Sequence, residues 1–271
     1  MLKTDLHLHT RFSDGSDTVR EVVKKAVSAG LDIIAITDHF IPPEEALLAA
    51  LEKEYKIRIL PGIECGTRDP YTKLASHILG YGIRDYKPVM KLMQPVLDSV
   101  NENSRRQLEI LQQMGYPVTE EEARRECDGP ALYRQHINYV LYKKGAIPDM
   151  FGSWMKSMYK NGGPLEMAYE FPEPVPVIEA IREGGGVPVL AHPGQQQNFC
   201  HIPEFVQAGL AGLELIHPSN SEEDKNYIRM YAEEFGLFLT GGSDCHGSLS
   251  ASGGSIGSYN MVYGKDEDFP L

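Results

Sequence analysis

His7 and His9 stand two residues apart in the alternating run Leu2–Thr10, and Asp14 follows five residues later. Side chains two apart on a strand share a face, so this pair can grip one cation while Leu2, Thr4, Leu6 and Leu8 bury the other face. Donors of the same kind recur down the chain, in Thr37-Asp38-His39, at Glu64 and His77, in Ala191-His192-Pro193, at His217 and in Ser243-Asp244-Cys245-His246. Imidazole and carboxylate ligands without thiolate suit zinc, manganese or iron, and less readily magnesium. One ion needs about four ligands, so the surplus predicts a multinuclear centre in which a carboxylate such as Glu64 or Asp244 bridges neighbouring ions. The chemistry of such a centre is hydrolysis by water made acidic, with no need for a nucleophilic serine or cysteine.

Those donors require elements that bring them together. Short apolar runs predict strands near 2–9, 31–37, 57–63, 75–81, 187–191, 212–216 and 237–242, alternating with amphipathic stretches. The clearest helix is 18–29, with Asp17 or Thr18 as cap, Glu21 in its first turn and Gly30 past its end. Further helices are expected over 43–55, 173–185, 201–209 and 221–235. In a parallel barrel the C-terminal strand ends meet on one rim, which would gather seven of the nine histidines into one cluster. The alternation breaks over 86–171, where helical spacing (Leu108, Leu111, Met114; Ile137, Val140, Leu141) replaces strand patterning. The expected organisation is therefore a barrel from 1–85 and 172–271, with 86–171 as a helical insertion serving as a cap. Within it, Glu120–Glu122 reads as a solvated helix start and Lys156–Pro164 as a basic, glycine-rich mobile loop. The tail from Ser248, with Gly253, Gly254 and Gly257, reads as a loop and a last edge segment.

Composition limits the alternatives. A net charge of -12 speaks against a broad grip on long nucleic acid, although a cation-bearing pocket can still attract a small anion. The first ten residues reach polar side chains too early for a secretory signal, and no apolar run is long enough to span a bilayer. Four scattered cysteines without a Cys-x-x-Cys pair fit reduced thiols in a cytoplasm. Cys65 and Cys245 adjoin Glu64 and Asp244, but neighbours on a strand face opposite ways, so both are expected to pack. His201 opens a predicted helix and reads as a solvated or capping residue.

The ordered set His7-Leu-His9, Ser13-Asp14-Gly15, Thr37-Asp38-His39, Gly62-Ile63-Glu64, His77, Ala191-His192-Pro193-Gly194 and Gly242-Ser243-Asp244-Cys245-His246 resembles the motifs of the polymerase-and-histidinol-phosphatase (PHP) family from residue 2 to about 247. The resemblance implies a distorted seven-stranded (β/α) barrel holding up to three divalent ions, manganese, iron or zinc, with magnesium a further option. It also implies the ligand sets. His7, His9, Glu64 and Asp244 would hold the first ion, Glu64 with His77 and His192 the second, and Asp14, His39 and His246 the third. The activity implied is hydrolysis of a phosphate monoester by water, the ions neutralising charge that develops on phosphate.

Asp14 and the helical insertion with Arg134-x-His136 make the chain most similar to the branch of nucleotide phosphatases and short-RNA exonucleases. Two positions depart from that branch, Phe40 where an aspartate usually follows Thr-Asp-His, and Gln195 where an arginine usually follows His-Pro-Gly. The expected substrate is a small phosphorylated molecule: a nucleoside monophosphate, a 3',5'-bisphosphate or a short oligonucleotide. Candidate substrate residues are Arg134, able to fork onto a second phosphate, His136 on the same helix, His217 and Arg11. Asp38 and His217 are the candidate neighbourhood for a leaving-group acid. The competing readings are an L-histidinol-phosphate phosphatase, which Asp14 disfavours, and a noncatalytic metal-binding module. An amidohydrolase-like barrel would call for a strand-end lysine, and none of the seven ends offers one.

Overall fold

A computed structural model describes residues 1–250, 254–264 and 269–271; Gly253 lies outside the described residues. The strands are β1 (Leu2–Leu8), β2 (Ile33–Ile36), β3 (Arg58–Arg68), β4 (Ala75–Tyr81), β5 (Val187–Leu190), β6 (Gly212–Ile216), β7 (Phe238–Gly241) and β8 (Met261–Tyr263). The helices are α1 (Val19–Ser28), α2 (Glu45–Tyr55), α3 (Lys87–Gln113), α4 (Glu120–Arg124), α5 (Arg134–Lys143), α6 (Ser153–Tyr159), α7 (Pro174–Glu183), α8 (Pro193–Gln196), α9 (Ile202–Ala208) and α10 (Glu222–Phe235). Among the described residues no helix is long and apolar enough to cross a membrane.

The sheet runs β7-β6-β5-β4-β3-β2-β1-β8 and curls into a nearly closed barrel. At its lower end β8 pairs antiparallel with the first residues of β1, and the Tyr263 hydroxyl donates to the Leu239 carbonyl of β7 at 2.8 Å. At the upper end β1 meets the segment after β7 directly, through Asp244 N–H to His7 O (2.9 Å) and His9 N–H to Cys245 O (3.1 Å). Gly242 allows this seam, since a Cβ there would collide with the Cβ and backbone of His7.

Helix starts follow local chemistry. Thr18 caps α1 in a reciprocal box with Glu21, Thr119 does the same for α4 with Glu122, and Ser221 for α10 with Asp224. Glu120–Glu122 thus begins a helix as expected.

Three expectations need correction. The barrel is not all parallel, because β4 runs antiparallel to both β3 and β5. β3 continues to Arg68 and the chain turns back within 69–74, too short for the crossover that a parallel pair requires. Lys156–Tyr159 is the last turn of α6, with Met158 and Tyr159 buried, rather than part of a loop. His201 takes the N-cap position of α9 but is not solvated, since it is buried with its Nε2 3.0 Å from the Thr72 hydroxyl and its ring stacked on Phe205.

The first half of α3 (Val89, Met93, Val96, Leu97, Val100) packs into the same cluster as Ile63 and Ile78 of the barrel wall. Its second half joins a separate cluster with α4, α5 and α6, running from Leu108 to Leu165.

Candidate metal centre

The strand ends bring the predicted donors within reach of one another. Donor atoms of His7, His9, Glu64 and Asp244 all lie within 4.8 Å of each other, as do those of Glu64, His77 and His192, and those of His9, Asp14, His39 and His246. His77 reaches the same rim because β4 is reversed, which puts its start where the parallel strands end.

Glu64 is the middle of the cluster. Its Oε1 faces His77 Nδ1 (2.6 Å) and His192 Nε2 (3.1 Å), and its Oε2 faces His7 Nε2 (3.1 Å), His9 Nε2 (3.1 Å) and His39 Nδ1 (3.3 Å). Asp244 Oδ1 stands 3.1 Å from His9 Nε2, and Asp14 Oδ1 stands 3.2 Å from His246 Nε2. His9 therefore looks both ways, Nε2 toward Glu64 and Asp244 and Nδ1 toward Asp14. Two of these donors, His192 (φ 27°) and Asp244 (φ 51°), and also Phe40 (φ 62°), hold the left-handed backbone that side chains other than glycine rarely adopt. Such strain concentrates at functional sites, where surrounding contacts must overdetermine it.

The donor set fits cations. Buried atoms His7 Nε2, both nitrogens of His9, Asp14 Oδ1, His39 Nδ1, Glu64 Oε2, His192 Nδ1 and Asp244 Oδ1 find no hydrogen-bond partner among the described residues, although several stand close to an opposite charge. Orphaned polar atoms at this density would be costly unless something positive sat among them. Burial alone would raise the carboxylate pKa values, but His39, His7 and His77 hold Glu64 well below the usual range, and His7 and His246 do the same for Asp244. Asp14 is also lowered, because His246 and His39 outweigh its burial. Burial pushes His39 down to about 4 against the pull of Glu64, and lowers His192 in the same way. His9 moves to about 10, since its burial is outweighed by the Asp244 and Glu64 carboxylates that face it.

Beneath this cluster lies a layer that sequence reasoning missed. Glu214, on β6 and fully buried, faces His7 Nδ1 at 3.0 Å with one oxygen and accepts the His192 N–H at 2.8 Å with the other. It thereby directs His7 Nε2 at the cluster and holds the strained His192 backbone. Asn220 accepts from Gly194 N–H (3.0 Å) and donates back to the Glu214 carbonyl (3.0 Å). Its signal was its place, a glutamate within the buried run Gly212–Ile216. Asp38, buried, accepts from Thr10 N–H and from the hydroxyls of Thr10 and Ser13, and so shapes the loop that carries Asp14.

The predicted substrate residues fare differently. Arg134 lines the cavity of about 290 Å³ over the cluster, together with Gln135, Phe151, Gln195 and the donors themselves. His136 does not face it; two residues along a helix is a rotation of about 200°, and His136 points into the α5 core with Nδ1 beside Tyr133 N–H. Gln135 lines the cavity in its place, donating to Asp14 Oδ2 at 2.7 Å. Arg11 is turned away, pairing with Asp128 (3.3 Å) and with the Arg125 carbonyl. His217 is buried under the cluster, its Nδ1 accepting from Ser219 N–H (3.0 Å) and its Nε2 lying 3.4 Å from Asp244 Oδ2. Cys65 and Cys245 sit in hydrophobic clusters.

Comparison with known proteins agrees with this chemistry. The PHP domain profile matches residues 5–161. The chain is 31% identical over 247 residues to the phosphoribosyl 1,2-cyclic phosphate 1,2-diphosphodiesterase of Eggerthella lenta, covering 90% of this chain and 94% of that protein. It is 29% identical over 277 residues to the 3',5'-nucleoside bisphosphate phosphatase of Chromobacterium violaceum, covering 100% and 93%. It is 27% identical to a 5'-3' exoribonuclease of Haemophilus influenzae, covering 90% of each. A crystal structure from Bifidobacterium adolescentis, provisionally assigned as a metal-dependent phosphoesterase, superposes with a TM-score of 0.84 at 25% identity over 98% of this chain and 93% of that one. The chain belongs to the PHP domain family and is a phosphoric-ester hydrolase of that family.

Proposed function

We propose that this enzyme removes the phosphate of a small nucleotide, a nucleoside monophosphate, a 3',5'-bisphosphate or the end of a short oligonucleotide, at a centre of three divalent ions. The observation that carries the reading is the convergence of buried, unpartnered imidazole and carboxylate atoms on one rim. His7, His9, Glu64 and Asp244 would hold one ion, Glu64, His77 and His192 a second, and Asp14, His39 and His246 a third. Manganese, iron and zinc suit these donors best. When bound, such ions supply Lewis acidity that neutralises phosphate charge and acidifies a water nucleophile.

The rest of the work falls to the chain. Glu64 offers one oxygen to each side of the cluster, which suits a bridging carboxylate. Gln135 holds Asp14 by its second oxygen and so fixes the first toward His246. His217, with Nδ1 occupied by the Ser219 amide, keeps its proton on Nε2 beside Asp244 and steadies that carboxylate. Arg134 stands at the cavity wall, where its guanidinium can clamp a phosphate oxygen in the fork geometry. Residues 86–171 act as the cap, since α5 supplies Arg134 and Gln135 to that wall and Tyr133 donates to the His39 carbonyl at 2.8 Å. Four free cysteines favour a cytoplasmic setting. The net charge of -12 favours short substrates over long nucleic acid.

The test is a screen of nucleoside monophosphates, 3',5'-bisphosphates, histidinol phosphate and short oligonucleotides, with metal content measured on the same sample. Turnover confined to nucleotides, with about three ions per chain, is the expected result. Bound metal with no turnover of any ester would leave a noncatalytic module, and turnover of histidinol phosphate alone would reassign the substrate.

A further inference from the structure

A second cavity of about 290 Å³ adjoins the first and shares with it Asp14, His39, His77, Arg134 and Gln135. Its far wall has a different character. Phe40, Tyr133, Tyr169 and Phe171 line it, with Val100 and Ser104 from α3. The rings follow one another away from the metal ligands. His39 and Phe40 are 5.3 Å apart at 29°, Phe40 and Phe171 are 6.3 Å apart at 42°, and Phe171 and Tyr169 are 6.1 Å apart at 26°.

This wall is built rather than incidental. Phe40 is buried on a left-handed backbone (φ 62°), a conformation that costs energy for a bulky side chain. Gly66 of β3 leaves room for it, because a Cβ there would stand 3.2 Å from the ring edges of both Phe40 and Phe171. Ser104 is 1% exposed, lines the cavity, and its hydroxyl finds no hydrogen-bond partner among the described residues. A buried hydroxyl in that condition fits a ligand edge that can donate or accept.

We infer that this cavity is a subsite for the planar heteroaromatic part of the leaving group, a nucleobase, stacked on the Phe40, Phe171 and Tyr169 wall and met at its edge by Ser104. The inference rests on the nucleotide phosphoesterase reading and assigns the residues that hold the base. A phosphate held among Asp14, His39 and His77 places the rest of its molecule across the shared wall, against these rings. A sugar phosphate alone lacks the planar π-face that stacks on such rings, whereas a base carries that face together with a hydrogen-bonding edge for Ser104.

The experiment compares adenosine 5'-monophosphate with ribose 5-phosphate, which keep the same phosphate and sugar, on the metal-loaded full chain. The wild type is expected to favour the nucleotide in kcat/KM by about tenfold or more, the scale of one base stacked on aromatic side chains. Phe171→Leu should collapse that ratio by about tenfold, Ser104→Ala should lower it by a smaller factor, and Phe171→Tyr should retain it. Metal content and circular dichroism check each variant, and Tyr169→Leu replaces Phe171→Leu if the latter fails to fold. A wild-type ratio near one, or a ratio unchanged in a folded, metal-loaded Phe171→Leu or Tyr169→Leu, overturns the subsite while leaving the phosphoesterase standing. If neither ester is hydrolysed, the wider substrate screen decides the nucleotide reading, and calorimetric binding of the same two compounds decides the subsite. Equal affinities overturn it; a nucleotide preference lost in Phe171→Leu supports it.

Discussion

The rim of the barrel and the helical unit between Leu108 and Leu165 treat buried polarity in opposite ways. In the helical unit, Tyr159 donates to Asn138 at 2.7 Å and Trp154 to Tyr116 at 2.9 Å around a packed apolar cluster. At the rim, many imidazole and carboxylate atoms are buried together with no hydrogen-bond partner among the described residues. The first arrangement is what stability alone favours, and the second persists because a ligand completes it. The contrast separates residues that hold the fold from residues that wait for cations, even where both are histidines. His136, enclosed in α5 with Nδ1 beside the Tyr133 amide, belongs to none of the ligand groups, while His192 belongs to one.

The sharpest way to break the comparison is to remove one rim donor. His192→Ala or Asp244→Ala is expected to lower kcat/KM by at least about 10³-fold, with the far-ultraviolet dichroism unchanged. Near-normal turnover in both would mean that the cluster is not the catalytic centre. Chelation extends the same test to stability. Divalent metal at about a hundred times its dissociation constant should stabilise the wild type by about 2.7 kcal/mol, and Asp244→Ala should lose most of that gain. Equal metal-induced shifts in Tm for the two proteins would contradict the assignment.

The helical unit has a pH signature of its own. Burial pushes His136 down to about 4 in the fold, from 6.5 when unfolded. Its contribution is complete above about 6.5 and is lost as the pH falls toward 4, because the unfolded chain takes up the proton first; the loss is on the order of 3 kcal/mol. Urea denaturation of wild type and His136→Gln at several pH values isolates it, and a slope unchanged by the substitution would refute it. A smaller effect is expected at the cavity wall. Arg134→Ala should raise KM for a bisphosphate by about tenfold and for a generic aryl phosphate by much less, as loss of a charge-assisted contact implies. Equal increases would make Arg134 structural. Least of all, Arg105→Ala breaks only an exposed ion pair with Glu120 on the outer face, and Tm should not move measurably.

Legibility differed with the range of the interaction involved. Local signals read correctly: Thr18 and Glu21 starting α1, Glu120–Glu122 opening a helix, and donors gathered at strand ends. The reversal of β4 was not legible, because strands read over 57–63 and 75–81 leave about eleven residues between them, and only the continuation of β3 to Arg68 shortens the link to 69–74. Arg134 and His136 looked alike as candidates, and only helical phase and the packing of α5 separated them and brought Gln135 forward. Glu214 gave no motif, because its importance lies in which ring nitrogen and which backbone amide it meets across the barrel.

The amino-acid sequence by itself determined the kind of chemistry, through donor types at strand ends, and the family, through their order. The tertiary structure alone decided the seam at Gly242, the direction of β4, the inward turn of His136, and the aromatic wall that Gly66 makes room for. Caps and strand periodicity depend on neighbours a few residues away, so they can be read along the chain. Which face a side chain presents, and to what, depends on contacts between residues far apart in sequence, and those exist only once the chain has closed on itself.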